Sequence, residues 1–193
     1  MVQLADAVVP GRAVKLIVLD RDGVINYDSE HYIKSPSEWR PLPGSIEAIA
    51  RLNQNGYRIA VATNQSGIGR GLFDMATLNA INDKMMELVF RQGGRIDALF
   101  FCPHTAVEEC SCRKPRTGML EEIAARFHTE LKGVPCIGDS LKDLQAAEGV
   151  GAQPVLVLTG KGKGTQEAGG MPRKTLVFDD LAEASRYLVD QND

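Results

Sequence analysis

Two carboxylates two residues apart, Asp20 and Asp22, close an apolar run from Val14 to Leu19, and Gly23 and Val24 follow at once. The run is rich in β-branched and aliphatic residues, as a buried strand is. Positions i and i+2 of an extended strand face the same side. Both carboxylates can therefore enter one pocket at the carboxyl end of that strand, where open α/β sheets place their ligands. Two anions so close repel unless positive charge sits beside them. Mg²⁺ suits the place, because a hard cation takes oxygen ligands and keeps waters that a phosphate can replace.

Three further polar clusters follow apolar runs: Thr63-Asn64-Gln65-Ser66, Arg113-Lys114, and Asp139 with Asp143. Carboxylates, one lysine with one arginine, and a hydroxyl with amides suit phosphoryl transfer, where a protein mainly positions groups and neutralises charge. Cys102, His104, Cys110 and Cys112 add three thiols and an imidazole within eleven residues. That is a full donor set for a closed, structural Zn²⁺ site. A rigid zinc loop at 102–112 would aim Arg113 and Lys114, which follow its last ligand directly. The fourth cysteine, Cys136, reads as a small core residue. A zinc-stabilised binding module is the rival from another class. No basic recognition helix follows, however, and the formal charge is -3, which argues against nucleic acid as a partner.

The elements that must position these groups alternate. Strands are expected at 57–62, 96–101, 134–137, 154–158 and 175–178, after the first at 14–19. Helices are expected between them: one capped by Ser45 and ended by Gly56, one opened by Asp74 and ended by Gly93-Gly94, one from Met119 to His128, one capped by Ser140 with Asp143 three residues on, and one from Leu181 to Val189. This alternation predicts a parallel sheet with helices on both faces, an α/β fold. All four polar clusters then share one edge of the sheet. Residues 27–43 are polar and punctuated by proline, as expected of a substrate-facing flap. Gly67-Ile68-Gly69-Arg70-Gly71 departs from the dinucleotide fingerprint and reads as a flexible loop carrying one arginine. Gly160-Lys161-Gly162-Lys163-Gly164-Thr165 lacks the Gly-Lys-Thr triplet of a phosphate-binding loop and reads as a mobile surface loop.

The whole chain, 1–193, is expected to be one domain, since 193 residues suffice for one real core. At 44 % hydrophobic and 24 % charged residues it has the balance of an ordinary soluble globule. No stretch approaches a membrane span, and residues 1–12 carry no signal-peptide pattern. A cytoplasmic monomer acting on a small molecule is the expectation.

Asp20-x-Asp22-Gly23-Val24, Thr63, Lys114 and Gly138-Asp139-x-x-x-Asp143 resemble, in order, the four signature motifs of the haloacid dehalogenase superfamily of phosphatases. The resemblance covers about residues 14–158. It implies a Rossmann-like core without a large cap domain and a covalent aspartyl-phosphate mechanism. By that resemblance Asp20 is the nucleophile and Asp22 the acid and base, its carboxyl protonated at first. Asp20, the carbonyl of Asp22 and Asp139 hold Mg²⁺. Lys114 neutralises the transferring group and tethers Asp20, and Thr63 with nearby amides bonds the phosphoryl oxygens. Asp143 supports the metal's water shell or only caps its helix.

The zinc loop before Arg113-Lys114-Pro115 is similar to the branch that holds heptose-bisphosphate phosphatases and histidinol-phosphate phosphatases. The stretches 27–32 and 63–71 resemble the heptose side, which makes bacterial lipopolysaccharide precursors. That likeness implies that Asp28, Ser29, Glu30, His31, Thr63, Asn64, Gln65, Ser66, Arg113 and Lys114 bind a sugar bisphosphate. Some relatives carry a lysine after the last motif's aspartate, where this chain has Ser140.

Overall fold

The computed structural model describes residues 15–191. Val14 and the stretch 1–12 lie outside the described residues. Six parallel strands form one sheet: β1 Leu16–Leu19, β2 Arg58–Asn64, β3 Ala98–Cys102, β4 Pro135–Gly138, β5 Gln153–Val157 and β6 Leu176–Phe178. Their order is β3-β2-β1-β4-β5-β6. The chain winds outward from β1 in one direction, then restarts at β4 and winds in the other. The crevice between β1 and β4 is thus the topological switch point, the place where ligands enter such sheets.

Alternation along the strands decides which residues face which layer. Ile17, Leu19, Ile59, Val61, Ile137, Val155 and Val157 join one apolar cluster, completed by α1 Ser45–Gln54, α2 Met75–Arg91 and α6 Leu181–Asp190. Leu16, Val18, Ala60, Ala62 and Cys136 face the other cluster, completed by α3 Gly118–Phe127 and α4 Leu141–Gly149. Cys136 is therefore the core residue that its position suggests. Each fully buried aliphatic side chain stabilises the fold by roughly 1.5–3 kcal/mol, and burial on both faces fixes the register.

Two local expectations are corrected. Ser45 does not cap α1: Gly44, left-handed at φ 75, precedes the helix. The Ser45 hydroxyl instead shares its single O–H between Ile25 O at 2.7 Å and Leu42 O at 2.8 Å, holding the two ends of the flap together. The glycine-rich stretch after β5 is not a structureless loop, since residues Gly162–Ala168 form α5. Glycines have low helix propensity, but Thr165 Oγ1 donates to Asp139 O at 2.9 Å and ties this turn to the sheet edge. Tertiary contact overrides propensity there. Asp74 opens α2 as expected, accepting from Thr77 N–H, and Asp180 caps α6, accepting from Glu183 N–H.

Candidate active site

Asp20 follows β1 directly, and its N–H donates to Ile137 O of β4 at 2.8 Å, so it sits across the switch point. Thr63 lies near the end of β2, Asp139 after β4, and Asp143 on the first turn of α4. Lys114 comes from the loop that follows β3 and is buried. Its ammonium lies 2.9 Å from Asp20 Oδ1, 2.5 Å from Asp143 Oδ1 and 2.7 Å from Ala62 O. The ammonium donates to Ala62 O and forms ion pairs with both carboxylates. Lys114 thus fixes Asp20, as expected. Asp143 also accepts from Ser140 N–H at 3.1 Å and from its hydroxyl. It therefore caps α4 and pairs with Lys114 at once.

Asp22 faces a different set of partners. Arg21, 1 % exposed, donates to both of its oxygens, Nη2 lying 3.0 Å from Oδ2. Asn26 donates to Oδ1 at 2.8 Å and Gln65 Nε2 to Oδ2 at 2.8 Å. Burial pushes the Asp22 carboxyl up, but Arg21 and these hydrogen bonds outweigh it and hold it below the usual carboxylate range. These partners favour the anionic form of Asp22, chiefly through a neighbouring arginine whose role the sequence left unread. Arg21 is in turn oriented by Asn82 Oδ1 of α2 at 3.1 Å.

Carboxylate oxygens of Asp20, Asp139 and Asp143 lie within 4.8 Å of one another. Burial first of all raises Asp20 to about 8, against the pull of Lys114, and raises Asp139 to about 7, against the Lys161 N–H. Groups in that condition gain most from a bound divalent cation. The backbone makes room beside them. A Cβ on Gly23 (φ 83) would stand 2.1 Å from Asp139 Oδ2, and one on Gly160 (φ 55) 2.2 Å from the same atom. An all-oxygen, crowded, anionic donor set of this kind fits Mg²⁺.

The cavity over these residues holds about 560 Å³. Asp28, Ser29 and Glu30 of the flap, residues 63–66, Arg113 and Lys114 all line it, as the sequence suggested. His31 does not. It is exposed, its N–H bound to Ser29 Oγ, and Tyr32 and Ile33 take the wall instead. Arg70 is exposed and outside the cavity wall. The flap has neither helix nor strand, yet Trp39 and Ile33 are buried in the core. Lys84 of α2 donates to Pro36 O at 2.6 Å and Trp39 O at 2.7 Å. Lys161, assigned no function from the sequence, also lines the cavity and pairs with Asp28 at 2.6 Å. Its only sequence signal was its place just beyond a strand's carboxyl end.

The second metal candidate is built on the end of β3. Cys102, His104, Cys110 and Cys112 present their ligand atoms within 4.8 Å of one another. Cys102 Sγ lies 3.5 Å from Cys110 Sγ and 3.3 Å from Cys112 Sγ, and His104 Nδ1 lies 3.4 Å from Cys112 Sγ. Four ligands held tetrahedrally at ~2.0–2.3 Å from a common zinc would be separated by roughly these lengths. The loop's output is direct: Arg113 Nη1 donates to His104 O at 3.1 Å, and Lys114 N–H to Asn64 Oδ1 at 3.2 Å.

The family model described as HAD-hydrolase-like matches residues 111–184, and that of polynucleotide kinase 3 phosphatase matches residues 15–140. A D-glycero-β-D-manno-heptose-1,7-bisphosphate 7-phosphatase of Bordetella bronchiseptica is 53 % identical over 92 % of this chain and 99 % of its own. The enzyme of the same name from Pseudomonas putida is 54 % identical over 91 % of this chain and 100 % of its own. The crystal structure of the B. bronchiseptica D,D-heptose 1,7-bisphosphate phosphatase, complexed with magnesium and phosphate, superposes with a TM-score of 0.91 at 53 % identity, covering 92 % of this chain and 99 % of that one. Fold and site together are those of a haloacid dehalogenase-like phosphatase. Within that class the chain belongs to the D-glycero-D-manno-heptose-1,7-bisphosphate 7-phosphatase family.

Proposed function

We propose that this chain is a Mg²⁺-dependent phosphatase that removes the C7 phosphate of D-glycero-D-manno-heptose 1,7-bisphosphate. The observation that carries the chemistry is the convergence of Asp20, Lys114, Asp139 and Asp143 at the β1/β4 switch point. The near full-length relatives of that name support the substrate over histidinol phosphate and over a non-enzymatic zinc module.

Asp20 is the nucleophile in this reading. Its carboxylate forms a bond to phosphorus while the bond from phosphorus to the sugar oxygen breaks. Lys114 holds Asp20 in place and offsets its charge through that contact. Thr63, whose hydroxyl receives Gln65 Nε2 at 2.9 Å, offers a hydrogen bond to a phosphoryl oxygen. Asp22 gives the leaving oxygen its proton. Its arginine and amide partners favour the anion, so the proton must be taken up as the substrate's own negative charge enters beside it. Asp22 then takes a proton from the water that attacks phosphorus, which releases inorganic phosphate and restores Asp20. Bound by Asp20, Asp139 and the Asp22 carbonyl, with Asp143 close by, Mg²⁺ would supply charge neutralisation between nucleophile and phosphate. A structural zinc in the 102–112 loop would keep Arg113 and Lys114 aimed.

Residues 1–193 acting as one domain, as a monomer, in the cytoplasm, without nucleic acid, complete the proposal. Among the described residues no helix is long and apolar enough to cross a membrane, and the net negative charge disfavours binding to nucleic acid. The test is phosphate release with Mg²⁺ from both anomers of the heptose bisphosphate, from histidinol phosphate and from a 3′-phosphorylated oligonucleotide. A higher kcat/KM on either of the last two overturns the substrate assignment.

A further inference from the structure

Proposed on top of that function is a residue that selects for the second phosphate. A bisphosphate keeps one phosphate away from the reacting centre, and that dianion needs positive charge of its own. Four cations line the cavity: Arg113, Lys114, Lys142 and Lys161. Lys114 is excluded, because it is buried and already paired with Asp20 and Asp143 at the reacting centre. Arg113 has one nitrogen engaged with His104 O and its remaining donors open. Position 140, beside Asp139, is a serine whose hydroxyl is engaged with Asp143, so that position supplies no cation, and Lys142 two residues on is the competing candidate on the cavity wall.

Lys161 differs from an ordinary surface lysine in how its backbone is held. Its N–H donates to Asp139 Oδ2 at 2.8 Å. Thr159 Oγ1 just before it donates to Gly23 O at 2.6 Å. Gly160 packs so closely that a Cβ there would meet Gly23 Cα at 2.6 Å. The Cα of Lys161 is therefore fixed against the carboxylate assigned to the metal. Its side chain remains 65 % exposed and reaches over the cavity to Asp28 Oδ2 of the flap. An exposed pair of this kind contributes little to stability, so its ammonium can be transferred to a stronger anion at low cost. We infer that Lys161 is a specificity-determining residue: its ammonium leaves Asp28 and binds the non-reacting phosphate of the substrate, with Arg113 on the neighbouring wall.

The test compares Lys161→Met with the unmodified chain on the heptose 1,7-bisphosphate and on the heptose 7-phosphate that lacks the remote group. The expected result is a kcat/KM on the bisphosphate that falls at least about tenfold further than on the monophosphate, mainly through KM, with Lys161→Arg restoring much of it. Equal losses on both substrates overturn the proposal, since they would mean that Lys161 serves only the metal side or the flap. Lys142→Met, run alongside, overturns it if the preference collapses there instead. Calorimetric binding of the sugar 1-phosphate product gives a readout independent of turnover. At least tenfold weaker binding to Lys161→Met is expected, and unchanged binding refutes the assignment. Because that measurement needs no hydrolysis, failure of the proposed function and failure of this inference are told apart.

Discussion

Lys114→Met tests the arrangement at its centre. The substitution keeps most of the side chain's volume and removes the one charge that touches both Asp20 and Asp143. All three partners are buried or nearly so, with side chains 5 %, 12 % and 8 % exposed, so little water can replace the ammonium. Removing one partner of a buried ion pair costs ~3–5 kcal/mol. For a chain of this size each kcal/mol moves Tm by about 2–4 °C, so a fall of roughly 6–20 °C is expected. The loss has a direction in pH. Lys114 is the largest influence lowering Asp20, whose pKa burial already raises to about 8. Without it Asp20 loses the pull that lowers it, stays neutral near pH 6 and becomes a buried anion without its cation as pH rises, so the Tm deficit should grow with pH. Asp143→Asn in the Lys114→Met background removes one of the two stranded charges and should recover part of the loss, a coupling of about 1–2 kcal/mol. With Mg²⁺ present, kcat should fall by about 10²–10³. Scanning calorimetry at several pH values and single-turnover phosphate release check both arms. A Tm within 2 °C of the parent (order of experimental scatter set against the ~6 °C minimum) with kcat within about tenfold would refute the account.

Asp20→Asn should abolish turnover, by at least about 10³-fold, while circular dichroism and Tm show a folded protein; appreciable residual phosphate release removes Asp20 from its role. Asp20 and Asp139, at about 8 and about 7 in the folded chain against an ordinary 3.8, bind protons that the unfolded chain has released. Metal-free stability should therefore decline from about pH 4 towards pH 8, and the Tm gain from saturating Mg²⁺ should be larger at pH 8 than at pH 6, the reverse order being fatal to the idea. Cys110→Ser, or removal of zinc by a chelator, should lower Tm and cut kcat/KM by about 10–100-fold through Arg113 and Lys114 while Mg²⁺ binding survives. Unchanged activity in a chain shown by elemental analysis to hold no zinc would dismiss the loop's assigned role.

Much of this was legible from residue order alone. Hydrophobic runs alternating with amphipathic stretches set the strand-helix alternation, and with it the parallel sheet, because burial on both faces demands near-continuous apolar strands. Residues with special chemistry just past those runs, Asp20, Thr63 and Asp139, announced the site for the same reason: strand ends of a parallel sheet share an edge, to which the loop after β3 adds Lys114. The cysteine-histidine set could be recognised from donor count. What only the tertiary structure decided concerns contacts made by residues of ordinary type. Arg21 looks like the unassigned letter of a motif until its guanidinium is seen on Asp22. Lys161 sits in a stretch poor in local preference, and became part of the cavity only because Asp139 and Gly23 hold its backbone. His31 is one residue from the wall and faces solvent, since a flap without regular structure has no periodicity from which to infer direction. Ser45 exchanges a cap for the carbonyls of Ile25, twenty residues away, and of nearby Leu42. Local sequence sets propensity and burial pattern; which charge meets which depends on distances between segments far apart in the chain, and those are fixed only when the two faces of the sheet pack.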